Sequence, residues 1–575
     1  MKLPQLYTMQ GHTDVISRFA GVNFCDKTEE NEFSYCENLS SRAYPLIAPR
    51  TPRQMVKQLT APQGMIGHDK LLFIDDGYIW YGGVKIDHIP LSPKKKQLVQ
   101  IGSSVAIFPD KLLFDTKTLT LEAMEYSFMA QGNVHVTLCS DPSGQALANT
   151  PVISSVAPQE PTENMHWIDT SASPHVLKVW HSASGTWVSQ LQTYLKITCP
   201  NIGKGFRQYD GVTIEGLGAH DGQHVIYGTS DNTLIIMGIC DQSFSANSIY
   251  IKRSVPDMDF VTQCDNRLWG CSSANHAIYA CKLGDAKNWN CFMGLASDSY
   301  AMTVGTPGAF TGCCTHMGSV VFFKADAHLR IYGTKPSNFQ LSTLHAAGIS
   351  KGNAYSAAVV NETLFYLTRE GVLCCDGGLP APLGRALSPL RLENGLGQGY
   401  MGKYYLSCDD QNGDPQLLVY DDTLALWHRQ DDTRAVAMCV CDNLLYLIDQ
   451  DDRLLCIGGD CPYRFEETQK EAFVPWVMQS AWIGLDDPMH KHVRRLMVQA
   501  QLFSGSQLQV SVRYDDDPLW QAVSIHAAPV FSALQIPIRP RRAQRMQLRI
   551  TGYGDARIYS ICKVTESGSE LGGSL

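Results

Sequence analysis

A hairpin unit that recurs every 40–50 residues constrains the fold of this chain more than any other sequence feature. The unit is a turn, a short strand rich in aromatic or leucine residues, an Asp- or Gly-rich turn, and a second short strand. It occurs as CDNRLWGCSSANHAIYA from Cys264, MGSVVFFKADAHLRIYG from Met317, VNETLFYLTREGVLCCDG from Val360, MGKYYLSCDDQNGDPQLLVYD from Met401 and CDNLLYLIDQDDRLLCIGG from Cys441. The equivalent positions Leu268, Val321, Leu364, Tyr405 and Leu445 are separated by 53, 43, 41 and 40 residues.

This period predicts an all-β chain built around a β-propeller of about six or seven blades. One small sheet cannot bury both of its faces alone, whereas sheets stacked around an axis bury them against each other and leave only short edges. Two similar units occur earlier, HDKLLFIDDGYIWYGG from His68 and GSSVAIFPDKLLFDTK from Gly102. We therefore expect the propeller in two parts, residues 61–125 and 258–465.

The remaining segments have different sequence patterns. Residues 126–257 carry alternating strands between Ser-, Pro- and Gly-rich turns, which predicts a β domain inserted in a propeller loop. Residues 466–565 contain long strands of alternating polarity, typical of a β-sandwich. In residues 1–60, Pro45, Pro49 and Pro52 favour an extended arm, and residues 566–575 are predicted to be a disordered tail.

Composition excludes several classes of protein. Of 575 residues, 44% are hydrophobic and 18% charged, with a net charge of −9. These values are typical of a globular protein and argue against a generally nucleic-acid-binding surface. We find no signal-peptide-like apolar start and no run long enough for a membrane span, so we expect folding in the cytoplasm.

The cysteines and short motifs give little support for metal sites or catalysis. The 19 cysteines form no pair of CxxC hooks, so we interpret them as small buried β residues rather than zinc ligands. GISKG from Gly348 lacks the strand and helix that a nucleophile elbow needs. NIGKGF around Lys204 lacks phosphate-loop spacing, and DDQNGDP from Asp409 is interpreted as a hairpin turn rather than a calcium loop. We predict no cofactor and no enzyme activity.

Two further possibilities remain open. The acidic clusters that end at Asp432, Asp452 and Asp517 could cleave a glycosidic bond, although solvated hairpin tips are favoured. The basic runs Lys94–Lys96 and Arg539–Arg545 could touch phosphate or an acidic partner, although solvated turns are again favoured.

Three stretches carry a family resemblance: VPDMDFVTQCDNRLWGCSSANHAIYACKLGDAKNWNCF from Val255, NLSSRAYPLIAPRTPR from Asn38 and IGKGFRQYDGVTIEG from Ile202. The chain resembles tail-associated β-propeller proteins of bacteriophages and prophages. These are the nozzle or tail-hub group sometimes named packaged-DNA stabilisation proteins. The likeness runs from about residue 19 to 563 and is most specific between Asn266 and Trp289.

The resemblance implies a virion structural protein that acts by assembly. The expected partners are other copies of the chain in a ring such as a hexamer, adjacent phage adaptor, portal or tail proteins, and DNA that passes through a channel without sequence-specific binding. The expected location is the virion tail, assembled in the cytoplasm of the bacterial host. Arg42, Tyr44, Arg50 and Arg53 of the arm are the candidate interface residues.

In the stretch that carries the strongest resemblance, we expect a structural role. Leu268 and Trp269 would fill one strand of a blade, Ile278 and Tyr279 the next, and Trp289 would pack against the neighbouring blade. Two other functions remain alternatives. One is a carbohydrate-binding or receptor-binding propeller that uses aromatic residues such as Trp180 and Trp187. The other is a cytoplasmic propeller scaffold of the host cell.

Overall fold

A computed structural model describes residues 11–485, 490–527, 529–539 and 541–567. Within these ranges the chain is β throughout, with no α-helix and with short 3-10 segments at Ser41–Ala43, Gly218–His220 and Pro336–Asn338. The prediction of an all-β, propeller-like chain is confirmed at this level. The predicted tail lies outside the described residues from position 568 onward, as do residues 1–10 of the predicted arm.

Seven small antiparallel sheets, counted over the described residues, lie where the hairpin unit recurs, and each begins with the strand named first here. Sheet 1 contains Pro62–Gly67, Leu71–Asp75, Tyr78–Tyr81 and Val84–Lys85, and sheet 2 contains Gln97–Ile101, Ser104–Phe108, Leu112–Asp115 and Thr120–Ala123. Sheet 3 contains Phe260–Cys264, Arg267–Ser272, Ala277–Ala280 and Tyr300–Thr303, and sheet 4 contains Phe310–His316, Ser319–Lys324, Ala327–Tyr332 and Gln340–Leu344.

The other three sheets follow in chain order. Sheet 5 contains Ala358–Val360, Thr363–Thr368, Gly371–Cys375 and Ala381–Pro382, and sheet 6 contains Glu393–Tyr400, Lys403–Asp409, Pro415–Asp421 and Leu426–Arg429. Sheet 7 contains Ala435–Cys441, Leu444–Asp449, Arg453–Ile457, Gln54–Gln58 and Gln469–Lys470.

Tight turns explain why the first two strands of these sheets fold back on each other. Asp265 and Asn266 have φ of 48° and 56°, and Asp442 and Asn443 have φ of 50° and 59°. Positive φ at both central residues is the geometry of the two-residue hairpin turn that matches the twist of antiparallel strands, and Asn and Asp tolerate it. The repeated CDN of the sequence is therefore a turn signal.

Neighbouring sheets share apolar cores because successive strand residues point to opposite faces. In sheet 3, Leu268 packs in a cluster with Val99 and Phe108 of sheet 2, while Trp269 packs in a cluster with Phe310 and Phe322 of sheet 4. The first strands lie side by side in the order of sheets 1, 2, 3 and 4, then 5, 6, 7 and back to 1. Sheets 4 and 5 are joined through a shared apolar cluster.

The segment between sheets 2 and 3 forms a closed barrel with an additional sheet. The barrel strands are Tyr126–Cys139, Tyr194–Thr198, Thr233–Met237, Gly222–Ser230, Gly211–Glu215 and Phe244–Arg253, in spatial order. The additional sheet, called the insertion sheet below, contains Val152–Ser154, His166–Asp169, Val176–His181 and Thr186–Ser189. The barrel has its own apolar core, which includes Val136, Ile197, Ile214 and Ile251.

The C-terminal segment forms two sheets around one core. The front sheet contains Phe33–Glu37, Pro475–Ser480, Met546–Tyr553, Gln507–Tyr514 and Gln521–His526 in spatial order. The back sheet contains His12–Ile16, Ala556–Ser567, Lys491–Leu502 and Val530–Ile536, with Arg542–Ala543 paired to Lys491–Leu502. Their core residues belong to one cluster with residues of sheets 5 and 6 such as Phe365 and Trp427.

The N-terminal segment predicted as an arm lies on the chain's own sheets. His12–Ile16 pairs with Ala556–Ser567 of the back sheet, Phe33–Glu37 with Pro475–Ser480 of the front sheet, and Gln54–Gln58 with Arg453–Ile457 of sheet 7. The prolines do limit pairing to short pieces, since Ala48–Pro49 makes only a two-residue ladder with Leu39–Ser40. Residues 12–37 therefore share the front and back sheets with residues 475–567.

Candidate functional site

The first strands of sheets 1–7 surround one central cavity of about 270 Å³. Each sheet contributes to its wall, with Met65, Val99, Val261, Cys313, Tyr355, Gln398 and Met438 as one lining residue from each sheet or its entry. Glycine, alanine and branched apolar residues make up most of the rest of the lining. The cavity is slightly smaller than the 300–1,000 Å³ of ordinary ligand pockets.

Two lysines, Lys95 and Lys96, line this cavity, and Lys96 forms an ion pair of 2.6 Å with Asp110. The Nζ of Lys95 lies 4.9 Å from the ring centre of Tyr355, a cation–π contact. Lys95 is exposed to solvent in the opening, yet the surrounding protein lowers its pKa through loss of hydration, and burial raises the pKa of Tyr355. No carboxylate is among the lining residues of the described chain, so the wall offers no carboxylate ligand for a cation.

The short motifs considered in the sequence lie in turns and loops. Ser350 of GISKG lies between sheets 4 and 5, where its hydroxyl accepts a hydrogen bond from Asn353 at 2.6 Å rather than contacting a base. Asp410 accepts hydrogen bonds from the backbone N–H of Asn412 at 2.9 Å and of Asp414 at 3.1 Å, which makes the loop an Asx-type hairpin turn. Within the described residues, no group of three or more His, Cys, Asp or Glu side chains could hold a metal ion.

The cysteines of the described chain are free thiols, and most are buried. Burial raises the pKa of the Cys36 thiol to about 12 and that of Cys264 to about 11. Such thiols stay protonated at neutral pH and react slowly. Their positions in the sheet cores agree with the interpretation as small buried residues.

The predicted interface residues fall into two separate groups. Arg42 donates a hydrogen bond to the carbonyl of Pro49 at 2.7 Å and forms an ion pair with Asp555, and the hydroxyl of Tyr44 accepts a hydrogen bond from Arg18. Both residues are at least partly exposed. Arg42 and Tyr44 can therefore contact a partner, and that role stays a prediction.

Arg50 and Arg53 instead bind acidic residues of their own chain. Arg50 holds Glu471 with two hydrogen bonds of 2.6 and 3.0 Å. Arg53 lies 2.8 Å from Asp431 and donates to Thr433 at 2.9 Å. Both arginines are buried, at 7% and 4% exposure, so the structure gives them partners inside the chain. We call these four charged residues the N-terminal clamp.

The charges of the N-terminal clamp stabilise one another. Burial by itself would raise the pKa of Asp431, but Arg53, Thr433 and Arg50 outweigh it and the net pKa is lowered. The pKa of Glu471 is lowered in the same way, because its hydrogen bonds to Arg50 outweigh its loss of hydration. Burial lowers the pKa of Arg53, although a guanidinium stays charged at neutral pH. The clamp ties residues 50–53 to sheet 6 and to the segment that leaves sheet 7.

The residues predicted to form a blade lie in the core of sheet 3. Leu268, Trp269 and Ile278 are buried, and Trp289 is buried beside Leu268 with its Nε1 donating to the carbonyl of Ala286 at 2.8 Å. Tyr279 is half-buried, and its hydroxyl accepts a hydrogen bond from Asn275 at 3.2 Å. These side chains occupy a structural position with no free polar group directed to a ligand.

The insertion sheet carries a tryptophan cluster that the sequence named only in part. The ring of Trp187 lies 5.3 Å from that of Trp167 and 5.4 Å from that of Trp180. Strand register places Trp167 opposite Lys178, and Trp180 opposite Trp187, on one face of the sheet. Trp180 and Trp187 are half-buried, so this face presents aromatic surface to solvent beside the Lys178–Asp169 ion pair.

Comparisons with known proteins give no family assignment. No protein-family model and no curated protein matches the sequence. Among solved structures, BamB from Moraxella catarrhalis is 10% identical, covers 73% of this chain and 98% of its own, and gives a TM-score of 0.33. The computationally designed Ika8 protein is 10% identical, covers 70% of this chain and 99% of its own, and gives 0.31. An exo-β-1,3-galactanase from Phanerochaete chrysosporium is 10% identical, covers 52% and 92%, and gives 0.21. Scores of this size support no functional argument.

Proposed function

We propose that this chain is a structural component of a phage tail, which acts by assembly into a ring around the path of DNA and not by catalysis. In this proposal sheets 1–7 are the blades of a seven-bladed propeller, and the front and back sheets are a C-terminal sandwich. The observation that carries the proposal is the interlock of the two chain ends, in which residues 12–58 complete sheet 7, the front sheet and the back sheet.

The interlock would help a tail component keep its shape under mechanical force. Closing sheet 7 with Gln54–Gln58 joins the start of the chain to its last repeat, so the ring opens only if those ladder bonds break. The N-terminal clamp adds buried ion pairs at the same place, and breaking a buried pair by losing one partner costs about 3–5 kcal/mol.

In this proposal the DNA path lies between copies of the chain and not through one copy, since side chains from each of the seven sheets or its entry line the space between the first strands. The net charge of −9 suits such a path, because a strongly cationic wall would hold phosphates instead of releasing them. Arg42 and Tyr44 are the exposed candidates for contacts between neighbouring copies.

The assembly proposal is tested by native mass spectrometry of the purified chain over a concentration series. We expect ring oligomers whose population falls in an Arg42→Ala/Tyr44→Ala double variant. Arg369→Ala, at an exposed turn of sheet 5, is the matched control and should leave the oligomers unchanged. A monomer at every concentration, or oligomers insensitive to the double variant, would contradict the proposed contacts.

A second candidate function, recognition of a glycan or another cell-surface receptor, is favoured by the tryptophan cluster of the insertion sheet. Exposed indole rings next to polar side chains bind the apolar faces of sugars or serve as anchors in protein interfaces. Glycan-array binding that is lost in Trp180→Ala and Trp187→Ala, and retained in Val188→Ala on the opposite face, would support this role. A glycan array with no binding above background would contradict a role in glycan recognition.

A further inference from the structure

Five side chains on the outer face of the front sheet form a stack in which arginine and tryptophan alternate. The guanidinium carbon of Arg545 lies 4.4 Å from the ring centre of Trp482, and that of Arg513 lies 4.8 Å from the same ring. Arg513 also lies 4.7 Å from the ring of Trp520, and Arg549 lies 5.6 Å from it. We call these five residues the Arg–Trp row.

Side chains alternate between the two faces of a strand, and this alternation shows on which face of the front sheet the row lies. Val512, Tyr514, Leu548 and Ile550 point into the core between the front and back sheets and are buried. Arg513 and Arg549 lie at the alternate positions and are half-buried on the opposite face. The row therefore faces away from the core, on a surface that is also polar at Gln509, Ser511 and Gln479.

Two charges of the row, those of Arg513 and Arg549, are not neutralised within the described chain. Arg545 has an ion pair of 2.6 Å with the exposed Asp516, but Arg513 and Arg549 form no ion pair with any described carboxylate. Arg513 donates one hydrogen bond to Gln547 at 2.8 Å, and the buried Nε of Arg549 has no hydrogen-bond partner. The pKa of Arg513 is lowered by burial and by repulsion from Arg545 and Arg549. A bound anion would relieve that repulsion.

The basic run noted in the sequence extends this surface. Arg539, Arg541 and Arg542 are exposed and lie just before Arg545 along the chain. Of these, Arg541 approaches Asp517 only to 3.8 Å, at the limit of an ion pair. The front sheet and its adjoining turns thus place Arg541 beside Asp517 and Arg545 beside Asp516, whereas Arg542 pairs with His492 of the back sheet.

We propose that the Arg–Trp row is a binding site for the phosphodiester backbone of nucleic acid, read without base specificity. Arginine forks match phosphate oxygens with paired hydrogen bonds, and stacking on indole rings fixes their planes in advance. Two guanidinium carbons lie 5.6 Å or less from the ring centre of Trp482, and the same holds for Trp520, so the arginines occupy space that a base would need in order to stack on either ring. The site therefore recognises regularly spaced phosphates and not bases.

An acidic surface of a second copy is a poorer match. The exposed carboxylates of the described chain lie mainly at separate hairpin turns such as 409–414 and 449–452, whereas a phosphodiester chain presents a continuous line of charges.

This inference does not depend on the proposed tail function, because a row of arginines can bind phosphate in any assembly. The phosphate-binding proposal and the assembly proposal are therefore contradicted by different experiments.

The test is fluorescence anisotropy of the full chain with a labelled duplex DNA of about 30 base pairs and mixed sequence, over a series of salt concentrations. We expect binding that weakens with salt, with equal affinity for a second duplex of unrelated sequence. Arg513→Gln/Arg549→Gln should weaken binding at least tenfold and lower the slope of log K against log salt by about 2, since each phosphate contact contributes about 0.9. Arg494→Gln, which removes an exposed charge from the back sheet, is the matched control and should stay within twofold.

Absence of duplex binding at low salt, or equal loss in the control variant, would overturn the proposal. So would variants that bind DNA normally but alter the mass of the chain's oligomers, because the row would then contact protein. If the double variant does not fold, Arg545→Gln provides the same test, since its side chain is 34% exposed and its loss should lower the salt slope by about 1.

Discussion

Arg53 is the residue whose position in the structure most changes its interpretation. In the sequence it lies at the end of a proline-rich segment that also contains Arg42 and Arg50. This composition is typical of an extended arm that contacts a partner. In the structure it is 4% exposed and paired with Asp431. Its partners lie nearly 400 residues away along the chain, so no local pattern could reveal them. Tyr44 and Arg42, in the same segment, keep exposed surface.

Removing the Arg53 charge should destabilise the chain strongly. Arg53→Met leaves Asp431 buried with only the more distant Arg50, 3.7 Å away, as a charged neighbour. We expect a loss of about 3 kcal/mol or more in the free energy of unfolding, because the carboxylate loses its main counter-ion. Urea unfolding followed by circular dichroism measures it, with Arg494→Gln as the exposed control. A loss below about 1 kcal/mol would show that the clamp contributes little.

Glu471 should make stability depend on pH in the acid range. Its folded pKa lies below its unfolded value, so its contribution is fully present above the unfolded pKa of about 4.3 and disappears as pH falls through the folded pKa. The difference in Tm between the native chain and Glu471→Gln should therefore shrink as pH is lowered from about 7 to about 3. A difference that stays constant over this range would contradict a stabilising Arg50–Glu471 pair.

At the scale of elements, the sequence predicts what depends on local pattern. The CDN turns, the alternating strands and the spacing of 40–53 residues locate the hairpins of sheets 3–7, and the DG turns locate the barrel strands. Pairing between distant segments carries no local signal, so the fourth strand of sheet 7 at Gln54–Gln58 and the front-sheet strand Phe33–Glu37 were not predicted as such. The Arg–Trp row was missed for the same reason, because Trp482, Arg513 and Arg549 come together only when their strands pair.

Opening sheet 7 should expose the N-terminal segment to protease. Val56 is fully buried in the Gln54–Gln58 strand, so Val56→Asp places an unpaired charge in the core and should detach the strand. Trypsin should then cut after Arg53 and Lys57, sites that the native chain protects. Val84→Asp, on the exposed edge strand of sheet 1, should not change the pattern, and equal cleavage in both variants would contradict the closure.

The barrel should fold without the rest of the chain. Its strands close on themselves around a core of their own, and its hydrogen bonds to sheet 3 include those that join Asn288 to the backbone of Tyr209 and Gly211. A fragment of residues 124–255 should show a β circular dichroism spectrum and one cooperative thermal transition. A fragment without a cooperative transition would show that sheet 3 is needed to hold the barrel.

At the scale of the whole molecule, residues 12–58, the repeats and the C-terminal sheets form one paired unit. Deleting residues 1–55 would remove strands of the front and back sheets and both arginines of the clamp, so a loss of assembly in that variant would be ambiguous. Point variants at Arg42 and Tyr44 avoid that problem.

None of the helical segments in the described residues has the length and hydropathy needed to span a bilayer.

Mass spectrometry of DNA-filled particles tests the central claim most directly. The particles would be purified by density gradient from an induced culture of the bacterium that carries the gene, with host cytoplasmic proteins as the internal control for contamination. We predict peptides of this chain in the particle band, at several copies per particle and at a constant ratio to the other particle proteins. Peptides that remain only in the soluble fraction would contradict a role in the virion.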